Sequence, residues 1–532
     1  MISLRSLLCA STLVFAACTG QEAAAKRPNI LLIVVDTLRW DHLTPYGYGR
    51  DTTPEIARWI AGGGMVVEEA YSQAPWTLPS VVSFLTGRNP GELLSSEVAS
   101  FGIPEGVPAL AERMERLGYT TGAFVANPTL HAGAGFARGF QTFYVPPAVV
   151  ESLHLHGDEI NRRALPWLAA VAHRGDRPFF LYLHYIDPHD PYDNPDVVDG
   201  RSPFFPGYEG PVRGDWVHGI YTGALALADP RNDVAHLNAL YDSEVRYVDR
   251  LIGALLASLP PEVLADTLIV LTSDHGEELY DHGGWKHGQT LYEEQIHVPL
   301  LFRWDGRIPP GGRLQGTVRL VDLMPTLVAA AGGEPDPAWD GVDLLPALTG
   351  TGPLPRRPAF ARHLSGGPLR AAAILGKEKL ILFNPREPFQ PTDALWEHLW
   401  KQDLERLERI ELYDLARDPR ERSGQAPDAA RVRHMAPLIH GHLDEQLPGL
   451  RIFAEGVAAG SRLAGSLVFE RPPERWAPYF LGPDDRVELS GSRVRFDLAG
   501  DVIAKGFRLA GDPGRLLSVE ASLDGRPLPA GR

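Results

Sequence analysis

Each of three apolar runs of the chain ends in side chains that could bind a metal ion. They are Asp36 after the first run, His184, Asp187 and His189 after the second, and Asp274 and His275 after the third. Ligands of an open parallel sheet bind outside the carboxyl ends of its strands, so we expect these groups to meet at one sheet edge. Two aspartates and a histidine would form a mixed oxygen and nitrogen shell, which favours Zn²⁺ or Mn²⁺ and leaves Ca²⁺ and Mg²⁺ open. A lone aspartate after a strand is more often a helix cap, but three such strand ends together favour a metal site.

A hydroxyl, that of Thr77, lies near the start of the stretch from Ala74 to Gly87, which reads APWTLPSVVSFLTG. One interpretation is a helix N-cap, since Pro79 suits a first helical turn and Gly87 suits a helix end. The other interpretation is a nucleophile. The N–H groups and the dipole at a helix N-terminus stabilise an alkoxide and a bound phosphate or sulfate. The stretch alone leaves both interpretations open.

The three apolar runs lie at 28–36, 177–189 and 266–276, and their apolar residues do not alternate with polar ones. Such runs are typical of parallel strands that are buried on both faces. Helical patterns lie between them. These patterns occur at 56–61, 107–117 and 241–256. The alternation of strands and helices predicts an α/β fold, with a mostly parallel sheet flanked by helices.

The sequence pattern changes twice after this region, which we expect to form a catalytic α/β domain over residues 28–351. Residues 352–448 predict a smaller α+β subdomain. Its candidate elements are strands at 359–363, 370–383 and 411–415 and a helix at 428–447. Residues 449–532 are β-rich, with alternating apolar residues and regular Gly, Asp and Pro turns, and predict an accessory β module.

The N-terminus has the features of an export signal. Arg5 precedes an apolar stretch that ends in small residues just before Cys18, which predicts a signal peptide at 1–17 and a tether at 18–27. A cysteine at the cleavage site is similar to a bacterial lipoprotein signal. Cys18 would then carry lipid and anchor the protein to a membrane, facing the periplasm or the cell surface. Ordinary secretion with cleavage near Ala17 is the alternative.

Length and charge restrict the classes of partner. The 532-residue chain has a formal net charge of −16, which argues against nucleic acid as a partner. No apolar run after the N-terminal segment is long enough to span a bilayer. We therefore expect contact with a membrane only through a lipid anchor.

Seven motifs in the same order along the chain resemble those of the sulfatase family, which belongs to the alkaline phosphatase superfamily. They are DTLR at 36–39, PSVVSFLTG at 79–87, YIDPHDPY at 185–192, SDHGE at 273–277, LYEEQIHVP at 291–299, DLMPTL at 322–327 and LYDLARDP at 412–419. The similarity runs from about Arg27 to Leu447. It implies a metal-dependent ester hydrolase whose substrate is an anionic ester, carried on a glycan, a lipid headgroup or a small molecule.

The resemblance implies a role for each candidate residue through its position in a motif. The ligands of one divalent metal ion would be Asp36, Thr77, Asp274 and His275. Thr77 would also be the catalytic nucleophile. His189 and His287 would act on the substrate or hold a second metal; the alternative is a turn cap and a surface loop residue. The candidates for substrate binding are Asn127, His184, Lys286 and Arg39, whereas His154, His156 and His282 are expected to be structural.

The chain departs from the family pattern at the nucleophile. Sulfatases resemble one another in a Cys-x-Pro-x-Arg motif whose Cys, or sometimes Ser, is oxidised to formylglycine. Here Thr77 occupies the Cys position and Val81 the Arg position. Oxidation of a threonine would give a ketone instead of an aldehyde, so no formylglycine is expected. In addition, Thr37 replaces the second Asp of many members, and no Lys-x-His pair follows Val125.

Three functions are compatible with these residues. The favoured one is hydrolysis of a phosphodiester, or transfer of a phosphoryl headgroup, because the chain resembles superfamily members with a Thr nucleophile. A pocket with fewer cations suits a singly charged diester better than a dianion. The second function is hydrolysis of sulfate esters. The third is a catalytically silent lipoprotein that binds an anionic glycan or lipid; the complete set of metal-binding residues argues against it.

Overall fold

A computed structural model describes residues 27–90, 102–146, 156–363, 369–384, 410–424, 428–446, 450–454, 460–473, 475–479, 485–500, 505–510 and 515–528. Cys18 and His154 lie outside the described residues. Among the described helices, none combines the length and the hydropathy needed to cross a membrane.

Eight strands form the main sheet, and the others form smaller sheets. The strands are β1 (Asn29–Val35), β2 (Met65–Tyr71), β3 (Thr120–Val125), β4 (Thr142–Tyr144), β5 (Phe179–Tyr185), β6 (Thr267–Thr272), β7 (Glu278–Leu279), β8 (Trp285–Lys286), β9 (His297–Arg303), β10 (Gly312–Arg319), β11 (Ala359–Arg362), β12 (Leu369–Leu375), β13 (Glu378–Asn384), β14 (Ile410–Asp414), β15 (Leu450–Ala454), β16 (Arg462–Phe469), β17 (Arg475–Tyr479), β18 (Arg486–Ser490), β19 (Arg493–Ala499), β20 (Lys505–Ala510), β21 (Leu516–Leu523) and β22 (Arg526–Pro527).

The α-helices are numbered in chain order. They are α1 (Pro54–Ile56), which continues as a π-helix (Ala57–Ala61), α2 (Thr77–Thr86), α3 (Leu110–Arg116), α4 (Gly157–Arg174), α5 (Val217–Tyr221), α6 (Pro230–Ala257), α7 (Pro261–Ala265), α8 (Glu293–Ile296), α9 (Leu323–Ala330), α10 (Leu345–Leu348) and α11 (Ala429–Gln446).

The main sheet is mixed but mostly parallel, as the apolar runs predict. Its strand order is β10-β2-β9-β6-β1-β5-β3-β4. β1 is parallel to both of its neighbours, β5 and β6, whereas β9 is antiparallel to β2 and β6. Alternate residues of β1 enter two different apolar cores. Ile30, Leu32 and Val34 pack in one core, and Leu31 and Ile33 pack in the other. The sheet is therefore buried on both faces, which confirms the predicted α/β architecture.

Two predicted elements have other bounds in the structure. The stretch 370–383, predicted as one strand, is a hairpin of β12 and β13, because Gly376 adopts a φ of 63° and reverses the chain. The helix predicted at 241–256 begins eleven residues earlier, at Pro230, where the Asp229 side chain accepts a hydrogen bond from the Asn232 N–H. Beyond the main sheet, β11–β14 form one antiparallel sheet, and β15–β22 form two more.

A buried ion pair connects the main sheet region to the sheet of β11–β14. Lys379 on β13 is fully buried, and its Nζ lies 3.0 Å from Glu293 Oε1 and 2.9 Å from Glu421 Oε1. Glu293 begins α8. Removal of one partner from a buried ion pair leaves uncompensated charge and is strongly destabilising.

We therefore expect Lys379→Met to lower the free energy of unfolding by about 3–5 kcal/mol, measured by denaturant titration. The matched control is Lys377→Met. The Lys377 side chain is 54% exposed and pairs with Glu69, so its replacement should change the stability by less than about 0.5 kcal/mol. Equal stability of the two variants would contradict the role assigned to the buried pair.

Candidate active site

The carboxyl ends of two adjacent parallel strands carry the two central aspartates. Val34 of β1 pairs in register with Thr272 of β6, and Asp36 and Asp274 each follow two residues later. Both side chains are fully buried. The strand register thus brings together two acids that are more than two hundred residues apart in sequence, as expected for an open α/β sheet.

Thr77 is the first residue of α2, and its hydroxyl does not cap the helix. The N-cap residue is Trp76, which makes no side-chain capping bond, and Gly87 ends the helix in the left-handed conformation. The Thr77 hydroxyl instead lies 3.2 Å from His275 Nε2 and 3.5 Å from Asn127 Nδ2. The capping interpretation is therefore wrong, whereas the location of Thr77 at a helix N-terminus is confirmed.

Four possible metal ligands converge at the N-terminus of α2, and they are Asp36, Thr77, Asp274 and His275. Asp36 Oδ1 and Asp274 Oδ2 are buried and lack a hydrogen-bond partner among the described residues. His275 Nε2 lies 3.6 Å from the first and 3.4 Å from the second. The Nδ1 of His275 lies 2.9 Å from the Gly276 carbonyl oxygen, which can only accept a hydrogen bond. Nδ1 therefore carries a proton, and Nε2 faces the two acids.

The charges of this cluster fit a cation. Burial would raise the pKa of Asp36, but the hydrogen bond from His184 and the neighbouring imidazoles outweigh it and lower that pKa to about 2. For Asp274, burial and then the negative charge of Asp36 raise the pKa. Two facing acids with unpartnered oxygens are the arrangement that a divalent cation stabilises.

Two residues predicted to bind substrate contact Asp36 in the structure. Asn127 Nδ2 donates to Asp36 Oδ2 at 2.7 Å, and Asn127 Oδ1 accepts from the backbone and hydroxyl of Thr129. His184 Nε2 lies 3.3 Å from the same Asp36 oxygen. Ligand-type atoms of His184, Asp36 and Asp274 all lie within 4.8 Å of one another. Substrate binding by Asn127 and His184 stays a prediction; in the structure both side chains contact Asp36.

His189 and His287 lie beside the cluster. The ring centroid of His287 is 5.0 Å from that of His189 and 4.4 Å from that of His275. Burial, and then the positive charges of His275, His189 and Lys286, lower the pKa of His287 well below its usual value. Both imidazoles are thus located where they could contact the ester group of a substrate bound at Thr77.

The two predicted cationic residues are paired with acids. Lys286 Nζ lies 2.9 Å from Asp190 Oδ1. Arg39 is buried, and its guanidinium donates to Asp41 and Asp281 and to the backbone carbonyl of Glu277. Their contact with substrate stays a prediction, and much of their charge is already compensated within the protein.

The sequence interpretation missed Glu277. This residue is fully buried, its Oε1 lies 3.1 Å from His287 Nδ1, and its Oε2 has no hydrogen-bond partner among the described residues. Its position two residues after His275, in SDHGE, was a signal that it follows the same strand end. The contact with His287 depends on the β7–β8 hairpin and could not be predicted from spacing.

A second group of metal-type side chains, Glu278, His282 and Glu294, has a structural role. Ligand-type atoms of these residues lie within 4.8 Å of one another. Both ring nitrogens of His282 are engaged, Nδ1 by Glu294 at 2.7 Å and Nε2 by the Glu421 carbonyl at 3.1 Å. His282 therefore connects the active-site hairpin to the segment after β14, as its structural assignment predicts. His156 likewise pairs with Asp187, at 3.1 Å.

Comparison with known proteins shows the family of the chain. The family model described as Sulfatase matches residues 28–333. The chain is 29% identical over 503 residues to arylsulfatase A of Bos taurus, covering 81% of this chain and 91% of that protein. It is 31% identical over 215 residues to the multifunctional alkaline phosphatase superfamily protein PehA of Trinickia caryophylli, covering 35% of this chain and 40% of that protein.

The fold is also that of solved superfamily structures. A phosphonate monoester hydrolase from Silicibacter pomeroyi matches with a TM-score of 0.58 and 22% sequence identity, covering 79% of this chain and 95% of that chain. The family match spans the main sheet and all of the residues that form the candidate site. The chain therefore belongs to the sulfatase family of the alkaline phosphatase superfamily, and it is a hydrolase of sulfate or phosphate esters.

Proposed function

We propose that the protein hydrolyses a phosphodiester, or transfers a phosphoryl headgroup, with Thr77 as the nucleophile. The observation that carries the proposal is the location of the Thr77 hydroxyl, at a helix N-terminus and 3.2 Å from His275 Nε2. The unpartnered oxygens of Asp36 and Asp274 lie beside the same imidazole. A hydroxyl that caps no helix and lies beside a set of metal ligands is well placed to attack.

Asp36, Asp274, His275 and Thr77 would hold the metal ion. The ion would supply a lower pKa for the attacking hydroxyl and positive charge for the equatorial oxygens of the phosphoryl group. The N–H groups at the start of α2 would bind the same oxygens. In this reaction Thr77 Oγ1 gives its proton to solvent water and forms a bond to phosphorus. The bond to the leaving alcohol breaks, and that alcohol takes up a proton from His189, because the lowered pKa of His287 keeps that imidazole neutral.

A second step returns the enzyme to its starting state. For hydrolysis, water gives a proton to the deprotonated His189 and attacks phosphorus, the bond to Thr77 Oγ1 breaks, and Oγ1 takes up a proton from solvent. For headgroup transfer, an acceptor alcohol replaces the water. The charge of the pocket favours a singly charged diester in either case, because Asp190 and the pair Asp41 and Asp281 already compensate Lys286 and Arg39.

Sulfate-ester hydrolysis is the second candidate, and the comparisons favour it. The matching family model is named for sulfatases, and the relative with 29% identity over most of the chain is an arylsulfatase. Against it stands the residue type at position 77, since a threonine does not yield the formylglycine aldehyde. The relatives therefore favour a sulfate ester. The chemistry of the Thr77 side chain favours a phosphate ester.

A direct comparison of two matched esters tests the proposal. We expect the protein loaded with Zn²⁺ or Mn²⁺ to cleave an aryl phosphodiester with a higher kcat/KM than the corresponding aryl sulfate. Both assays release the same aryl alcohol, so one absorbance reports both reactions. Faster release from the sulfate would contradict the phosphoester proposal and support the sulfatase alternative.

We also propose that the mature protein is a lipoprotein anchored through Cys18. A palmitate analogue should label the wild-type protein and not Cys18→Ala. The matched control is Cys9→Ala, because Cys9 is the other cysteine of the chain and would leave with the signal peptide. Equal labelling of wild type and Cys18→Ala, or none in either, would indicate ordinary secretion instead.

A further inference from the structure

Tyr182 and His184 form a hydrogen-bonded pair that leads from β5 to Asp36. The two residues lie on the same face of the strand; Leu183 and Tyr185 belong to the core on the opposite face. The Tyr182 hydroxyl lies 2.8 Å from His184 Nδ1, and His184 Nε2 lies 3.3 Å from Asp36 Oδ2. His184 is fully buried and Tyr182 is 2% exposed, so water does not replace these contacts.

The proton positions of this pair follow from the chemistry of the hydroxyl. Burial, and then the negative charges of Asp274 and Asp36, raise the pKa of Tyr182 well above its usual value, so the phenol keeps its proton. Among the described residues, His184 Nδ1 is the hydrogen-bond partner that the structure shows for this hydroxyl. A buried O–H that does not donate loses the free energy of a hydrogen bond. The hydroxyl therefore donates to Nδ1, and the ring N–H of His184 is on Nε2, which faces Asp36 Oδ2.

This tautomer makes His184 a donor to Asp36 and excludes it as a metal ligand through Nε2. Asp36 Oδ2 then accepts two hydrogen bonds, from Asn127 and from His184, while Oδ1 accepts none from the described residues. The two donors occupy one oxygen of the carboxylate and leave the other for the metal ion. Asp36 is thus held as a ligand that offers a single oxygen.

We propose that Tyr182 and His184 are positioning residues that hold Asp36 as a one-oxygen ligand and so set the preference of the site for Zn²⁺ over Ca²⁺. The proposal rests on the metal site of the proposed function. Zn²⁺ is usually four-coordinate, and Asp36, Asp274, His275 and Thr77 supply four ligand atoms. Ca²⁺ takes six to eight oxygens and often binds both oxygens of a carboxylate. Outer residues that orient metal ligands typically contribute a factor of about 10–100 to metal affinity.

The test measures metal binding and does not depend on turnover. Metal-free protein is titrated with Zn²⁺ and separately with Ca²⁺ by calorimetry, for wild type, Tyr182→Phe, His184→Leu and Tyr185→Phe. Tyr185→Phe is the matched control, because Tyr185 is a fully buried tyrosine of the same strand whose hydroxyl donates to Asn161 on the other face. We expect Tyr182→Phe and His184→Leu to weaken Zn²⁺ binding about 10–100-fold and to lower the ratio of Zn²⁺ to Ca²⁺ affinity. The control should keep both affinities.

The outcomes separate this inference from the proposed function. An unchanged ratio of Zn²⁺ to Ca²⁺ affinity in Tyr182→Phe and His184→Leu would overturn the inference, while Zn²⁺ binding by the wild type would still support the metal site. If the wild type bound neither ion, the metal site of the proposed function would itself be wrong. A loss in Tyr185→Phe equal to that in Tyr182→Phe would also overturn the inference, because it would show that the effect comes from the stability of β5.

Discussion

Thr77→Ala should abolish turnover and leave the fold and the metal site largely intact. The variant removes the attacking oxygen, and we expect kcat to fall by at least about 10³-fold. The fold should survive because the Thr77 hydroxyl caps no helix and its described contacts are with the site residues His275, Asn127 and Asp274. Initial rates on the aryl phosphodiester, at equal metal content, measure the effect.

Two further variants make this result specific to the nucleophile. Thr77→Ser keeps a hydroxyl at the same position and should keep measurable activity. Thr86→Ala lies at the other end of α2, where the Thr86 hydroxyl donates to the Val82 carbonyl, and should leave kcat within about twofold. If Thr77→Ala kept its activity, Thr77 would not be the nucleophile.

Asp274→Asn should remove the metal ion and lower the thermal stability of the protein in the presence of metal. The stabilisation by a bound ligand is lost with its binding, and Asp274 Oδ2 is a buried carboxylate oxygen with no hydrogen-bond partner among the described residues. In the presence of a chelator the substitution should no longer lower the thermal stability. There the variant should be at least as stable as wild type, because it removes one of two facing buried negative charges.

Metal content by elemental analysis and the thermal midpoint with and without chelator are the two measurements. The control is Asp305→Asn, since Asp305 is partly exposed and pairs with Arg303 beyond the end of β9. It should keep both the metal and the midpoint. An unchanged metal content in Asp274→Asn would contradict the assignment of this ligand.

The apolar runs and the ligand-type residues at their ends predict the centre of the site. Asp36, Asp274 and His275 could be predicted because unalternating apolar runs indicate buried parallel strands, and such strands carry their ligands at their carboxyl ends. The same reasoning predicts the main sheet. It does not predict the turn at Gly376, because an apolar run contains no direct signal for where a hairpin reverses.

The contacts that depend on distant residues could not be predicted from spacing. Arg39 binds Asp281, which lies 242 positions later in the sequence, and this ion pair compensates the charge of the guanidinium. The hydrogen bonds of His184 follow from the register of β5 beside β1 and from the rotamer of Tyr182, neither of which the pattern contains. The exact end of a helix is also uncertain by one or two residues when it is predicted from sequence. The sequence therefore predicts Thr77 near the start of α2 but does not show whether Thr77 is the N-cap residue.

The most direct test of the central claim is peptide mass spectrometry of the enzyme quenched during turnover of an aryl phosphodiester. Trypsin should release Thr77 within the peptide from Trp59 to Arg88, which contains no internal Lys or Arg. We expect an unmodified threonine in the resting enzyme and a phosphoryl adduct on Thr77 in the quenched enzyme. An adduct on another residue, with Thr77 unmodified throughout turnover, would contradict it.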